Sequence, residues 1–178
     1  LVCDIRKSTQ RLSTNLVDAR VNGIQRVFYE TSALLPSLEV VIDHFSGSVT
    51  EYLGDGVLGF FPYLNDDDLY NSYYASIGCM EMVRTIVNSE IKSRYNLPPL
   101  DIGIGMACGP AMVRKVAKKH VKAFGRCVWT ASKLSGGTNL ILIDDILRGK
   151  WPSSQNGAIN FRTKQLSKNV EGYKLYPQ

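Results

Sequence analysis

The stretch that most constrains this chain is Glu51-Tyr52-Leu53-Gly54-Asp55-Gly56, followed at once by Val57-Leu58-Gly59-Phe60-Phe61. Gly47 to Thr50 reads as the end of a loop and the start of a strand, and Val57 to Phe61 is a β-rich apolar run. Two such runs joined by Gly-Asp-Gly predict a tight hairpin. The turn lifts the Asp55 carboxylate to the hairpin tip, with a glycine on each side that lets a backbone or a phosphate come close. An ordinary turn also tolerates Asp. The hairpin therefore fixes local structure and leaves its chemistry open until a second acidic strand end is found.

That second element opens the chain. Leu1-Val2-Cys3-Asp4-Ile5 is apolar with one acid inside it, and Arg6-Lys7-Ser8-Thr9 follows. A half-buried Asp on a strand needs a partner or a metal. Asp4 can cap a helix, pair with Arg6, or join Asp55 in holding a hard divalent cation through oxygen ligands. Ser8-Thr9 can open a helix whose amide groups point at phosphate.

The 178 residues suit a single domain, 1–178, long enough to bury a core. At 44% hydrophobic and 21% charged, the chain reads as globular rather than disordered. No apolar run approaches the length needed to span a bilayer, so no membrane is expected. Cys3, Cys79, Cys108 and Cys127 are scattered without a Cys-x-x-Cys pair. They read as reduced thiols of a cytoplasmic protein rather than a zinc site or disulfide framework. A net charge of +5 suits a polyanionic ligand such as a nucleotide, and would equally suit nucleic acid or solubility alone.

Between these motifs, Asp18 to Phe45 carries apolar residues at three- and four-residue steps and predicts helix, with a break or kink at Pro36. Asn65 to Asp68 caps an amphipathic stretch from Leu69 to Ile91, whose inward stripe is Tyr73, Ile77, Met80, Val83 and Ile86. Asp101 to Met106 reads as a strand with two glycines that admit a close neighbour. The basic segment Ala111 to Phe124 reads as a solvated strand-and-loop face, since no aromatic interleaving marks it for nucleic acid. Helix is expected over Arg126 to Ser135, a buried strand over Asn139 to Ile143, and a short helix from Asp144 through Leu147. Ala158 to Thr163 and Tyr173 to Tyr176 read as the last strands. The layout is α+β, with helices covering one side of a largely antiparallel sheet.

Asp4 to Thr9, Tyr52 to Phe61, Gly103-Ile104-Gly105 with Gly109, and Phe124 to Leu134 together resemble the class III nucleotidyl cyclase domain. The similarity runs in order along nearly the whole chain. It implies a ferredoxin-like core with added strands. It also implies conversion of a nucleoside triphosphate to a 3′,5′-cyclic nucleotide and pyrophosphate, with two Mg2+ or Mn2+ ions per site. Asp4 and Asp55 take the metal positions, with the Ile5 carbonyl as a further ligand. The family's dimers are head-to-tail, so the resemblance implies a homodimer with two interface sites, the metal aspartates from one subunit and the base- and phosphate-reading residues from the other.

The second set departs from the family's pattern. Glu51 stands where adenylate cyclases carry Lys and guanylate cyclases Glu, and Lys122 where adenylate cyclases carry an acid or Thr. Trp129 replaces the ribose-orienting Asn, and Lys133 the transition-state Arg. Arg126 stands at a position usually held by Asp or Asn, and Lys168 aligns with the phosphate-binding Lys. Glu51 and Lys122 suit the edge of guanine or of uracil. The Trp129 indole takes space and offers a stacking face, which favours a pyrimidine. The chain thus resembles the bacterial pyrimidine cyclases of Pycsar anti-phage systems. That reading implies UTP ahead of CTP as substrate and a cyclic-nucleotide-responsive effector downstream. The rival readings are a guanylate cyclase, a catalytically inactive nucleotide-sensing module, and an RNA-binding domain that lacks the aromatic sheet motif.

Overall fold

The first strand, β1 (Val2–Ile5), is the hub of the molecule, because it pairs antiparallel on both edges. The computed structural model describes residues 1–13, 19, 21–118, 120–151 and 159–177. On one side of β1 lies the hairpin of β2 (Ser48–Tyr52) and β3 (Gly56–Phe60); on the other lies β4 (Ile102–Met106). Beyond β4 come β7 (Leu140–Ile143), β9 (Val170–Pro177) and β8 (Ile159–Ser167), completing a seven-stranded sheet in the order β2-β3-β1-β4-β7-β9-β8. β4 and β7 run parallel and the other pairings are antiparallel. A separate ribbon pairs β5 (Met112–Ala117) with β6 (His120–Phe124).

Alternation along the strands sends side chains to two different layers. Cys3, Ile5, Val57, Ile102, Ile104 and Met106 pack into the main core with Leu34, Leu38, Val41 and Ile42 of α2 (Gly23–His44). Tyr73 and Cys79 of α3 (Asp66–Glu81), and Ile91 of α4 (Asn88–Tyr95), complete that layer. Val2, Leu58 and Ala131 form a smaller cluster on the opposite face. There the floor is Gly103 and Gly105, where any side chain would overlap the Ser135 and Ala131 carbonyl oxygens of the α5 segment (helix Arg126–Leu134). The helices therefore do not all cover one side: α5 lies on the other face, seated directly on the backbone of β4.

Local signals explain most boundaries. Asn22 and Gln25 form a reciprocal capping box that starts α2 at Gly23, later than the expected Asp18, which lies outside the described residues. Pro36 does not break this helix, which runs unbroken through it. Pro36 and Ser32, four residues earlier, are both exposed, so water can serve the carbonyl that the proline leaves unpaired. Met82–Val87 is a π-helical turn between α3 and α4, and its extra residue shifts the inward stripe. Val87 is buried, and Ile86, expected inside, is 53% exposed. Strands β8 and β9 are longer than expected, and Ala158 lies outside the described residues. Lys168 and Asn169 join them with φ of 44° and 64°, both left-handed, as a two-residue hairpin turn of this hand requires. Asp144 caps α6 (Asp145–Lys150) by accepting from the Leu147 N–H at 2.8 Å. Among the described residues, no helix is long and apolar enough to cross a membrane.

Candidate active site

The hairpin tip is tight. The Leu53 N–H donates to the Gly56 carbonyl at 2.7 Å, the Asp55 N–H donates to the Leu53 carbonyl at 3.2 Å, and Gly54 takes a φ of 82° that favours glycine. Asp4 stands beside this tip. Its neighbours across the sheet are glycines on both edges, Gly56 on β3 and Gly103 on β4. A β-carbon on Gly56 would lie 3.1 Å from an Asp4 carboxylate oxygen. The carboxylate thus occupies a notch that two glycines leave open on the α5 face.

Asp4 and Asp55 come together there. The Asp4 carboxyl is pushed up to about 6, first by burial and next by the charge of Asp55, against the opposing pull of Arg6. Arg6 donates from Nη1 to Asp4 Oδ2 at 3.2 Å and also to the Ser135 carbonyl at 3.1 Å. Two carboxylates brought together in this way form a donor set that fits a hard divalent cation. The Ile5 N–H points at the Asp55 carbonyl at 3.4 Å, so the Ile5 carbonyl lies on the same, hairpin side of its strand. Among the described residues, no group of three or more His, Cys, Asp or Glu side chains is gathered for a metal. The available donors are therefore two carboxylates and this carbonyl.

Glu51, Lys122, Trp129, Lys133 and Lys168 stand on or beside this face, whereas Ser8 and Thr9 begin a helix held against α2. Glu51 accepts from the Ala123 N–H at 3.0 Å and stands 3.7 Å from Lys122 Nζ, joining β2 to the β5–β6 ribbon. On α5, Lys133 Nζ lies 5.5 Å from the centre of the Trp129 ring, one helical turn away, and Trp129 is 56% exposed. Lys168, at the tip of the β8–β9 hairpin, lies close enough that its charge lowers the Asp4 pKa within the same chain. Ser8 and Thr9 open α1 (Ser8–Ser13), which buries no residue of its own.

What holds α1 has no signature in the sequence. Arg11 donates to both oxygens of the buried Glu30, at 2.9 and 3.0 Å, and to the carbonyls of Pro98 and Pro99 at 3.2 Å. Arg26 donates to the same Glu30 at 2.9 Å. Only the four-residue spacing of Arg26 and Glu30 is visible as a local signal. Arg6 was legible as a partner of Asp4, but its second bond to the end of α5 was not.

No family model matches the sequence, and no curated protein matches it. Solved structures do match its fold. The guanylyl cyclase Cya2 superposes with a TM-score of 0.78 at 19% identity, over 98% of this chain and 88% of that one. The adenylyl cyclase CyaB from P. aeruginosa gives 0.76 at 18% identity, over 99% and 92%. The guanylate cyclase domain of RhGC from Catenaria anguillulae, in complex with GTP, gives 0.74 at 17% identity, over 99% and 94%. Domains of this fold from Blastocladiella emersonii have been solved both as dimer and as monomer. The chain has the fold of nucleotidyl cyclase catalytic domains, an α+β architecture with a mostly antiparallel sheet covered by helices.

Proposed function

We propose that this chain is a nucleotidyl cyclase, converting a nucleoside triphosphate to its 3′,5′-cyclic monophosphate and pyrophosphate. The observation that carries the reading is the convergence of Asp4 and Asp55 in one glycine-lined notch, a carboxylate pair whose chemistry suits a divalent cation. Asp4, Asp55 and the Ile5 carbonyl would hold Mg2+ or Mn2+, which when bound lowers the pKa of the ribose 3′-hydroxyl and neutralises phosphate charge. The 3′ oxygen bonds to the α-phosphorus as the bond to the β-phosphate breaks, releasing pyrophosphate and a proton. Lys133 sets a positive charge against the reacting phosphate, with less geometric control than a guanidinium. Lys168 and the start of α1 at Ser8 and Thr9 attract the phosphate tail.

For the base, Glu51 and Lys122 offer an acceptor and a donor side by side, and the exposed Trp129 offers a stacking face. This set supports a pyrimidine, with UTP ahead of CTP, in keeping with an antiviral second-messenger role and an effector that reads the product. A guanine substrate is the second reading, supported by the Glu51 acceptor. Exposed Leu53, Phe124 and Trp129 on the hairpins and α5 support burial of this face against a second copy, giving a homodimer with two sites.

The test offers each nucleoside triphosphate with Mn2+ or Mg2+ and identifies the product by chromatography. Cyclic UMP as the main product is expected. A dominant cyclic GMP peak overturns the pyrimidine choice. Bound nucleotide with no cyclic product from any triphosphate overturns the enzyme and leaves a sensing module.

A further inference from the structure

Arg6 is placed between the carboxylate notch and the end of α5. Its Nη1 donates both to Asp4 Oδ2 at 3.2 Å and to the Ser135 carbonyl at 3.1 Å. Ser135 is the residue that ends α5, and it is buried. The helix end has little freedom elsewhere. Gly103 and Gly105 press against its carbonyls from below, and Ser167 Oγ donates to the Lys133 carbonyl at 2.8 Å from the β8–β9 hairpin. Small changes in how Arg6 divides itself therefore act on the last turn of α5, which carries Lys133.

We propose that Arg6 is a positioning residue that couples cation occupancy at Asp4 and Asp55 to the C-terminal turn of α5. This rests on the cyclase reading for its consequence in catalysis, though not for the coupling itself. The logic is one of shared partners. Without a cation, Arg6 compensates the Asp4 charge and is divided between that carboxylate and the Ser135 carbonyl. When a divalent ion compensates Asp4, the guanidinium is left to the carbonyl, and the free carbonyl end of a helix favours positive charge. The last turn of α5 then tightens, and Lys133 and Trp129 are set for the triphosphate. In a head-to-tail dimer, the aspartates of one chain and the α5 of that same chain serve different sites, so Arg6 would also link the two sites.

Two variants separate coupling from general support. Arg6→Met removes charge and both bonds. Arg6→Lys keeps the charge, but its side chain ends one bond short of the Nη1 that makes both contacts. Hydrogen exchange is measured on the intact chain with and without millimolar Mg2+ alone, no nucleotide present. The expected result is several-fold slower exchange of the amides from Ala131 to Gly136 on adding Mg2+ in the natural protein, and no such slowing in either variant. Ser167→Ala, which loosens α5 without touching Asp4, should speed exchange overall and keep the Mg2+ response.

Turnover gives a second readout. Arg6→Met should lower kcat while tightening the apparent affinity for Mg2+, because a competing charge has left Asp4. A merely structural loss would weaken both. Mg2+-dependent slowing of equal size in Arg6→Met, or none in the natural protein, overturns the proposal, as does weaker Mg2+ affinity in Arg6→Met. Absence of any cyclic product from the natural protein overturns the cyclase reading instead, and the exchange experiment still decides the coupling.

Discussion

Asp55→Asn is the substitution whose stability and activity effects should run in opposite directions. The Asp4 carboxyl is pushed up to about 6 from an ordinary value of 3.8, by burial first and the Asp55 charge second. A displacement of that size corresponds to at most ~3 kcal/mol. Burial takes the larger share, and Asp4 keeps a side-chain exposure of 26%, so solvent screens the rest. About 1 kcal/mol is left to the repulsion between the two carboxylates. Removing the Asp55 charge should therefore raise the melting temperature of the metal-free chain by about 2–4 °C for a protein of this size. Because the folded value of Asp4 is raised, its contribution to stability is fully present below about 3.8 and is lost as pH rises through about 6. The gain from Asp55→Asn should thus be full at neutral pH and fade toward pH 4. In Mg2+ or Mn2+ the ranking inverts: the natural protein gains stability by binding the ion, while the variant gains little and makes no cyclic product. The assay is a melt in EDTA and in Mg2+ at several pH values. An Asp55→Asn protein that melts lower than the natural one in EDTA, or that keeps the full Mg2+ shift, would refute the carboxylate-pair argument.

Four further outcomes follow from particular contacts. Lys168→Gly should raise stability by about 1 kcal/mol in denaturant melts, since Lys168 holds a φ of 44°, yet lower kcat/KM on the order of 100-fold by removing a phosphate-facing charge. Gly105→Ala should destabilise by about 3 kcal/mol by driving a methyl into the Ala131 carbonyl, while Gly149→Ala, which meets open space in α6, should be neutral or stabilising by up to about 1 kcal/mol. Glu30→Gln leaves the Arg11 and Arg26 guanidiniums facing a neutral partner and should cost about 3–5 kcal/mol by thermal or chemical denaturation. Asp144 is raised by burial, so its contribution to stability is lost as pH rises through its folded value; Asp144→Asn should keep the cap and become relatively more stable toward neutral pH, whereas Asp144→Ala should lose about 1 kcal/mol of capping at low pH and less at neutral pH.

The parts of this fold that were legible in the sequence are those fixed by neighbours in the chain. Gly54-Asp55-Gly56 specifies a turn because only a left-handed residue closes it, and Gly54 takes that conformation. The alternation of Asp101 to Met106 correctly implied a close approach, since glycines at every second position clear one face of a strand. What approaches is α5, and its identity depends on a chain return of about thirty residues, over which periodicity is silent. Helical periodicity therefore cannot divide the helices between the two sides of the sheet: a helical stripe says that a face is buried, not against which surface. The same limit hid the anchor of α1. A helix with no buried apolar residue gives no hydrophobic pattern, and the Arg11–Glu30 bond that holds it is formed between residues whose spacing fits no local rule. At Pro36 and Ile86 the local rules themselves are overruled, by a solvent-facing helix surface in one case and by a π turn in the other. The candidate site lies where both kinds of information meet. Asp4 and Asp55 are each the product of a legible local motif, but Arg6, which links them to α5, acquires its second partner only when a glycine strand lets a helix end come within reach of it. The two candidate metal residues are therefore written into short motifs here, and the residue that ties them to α5 is written only into the packing.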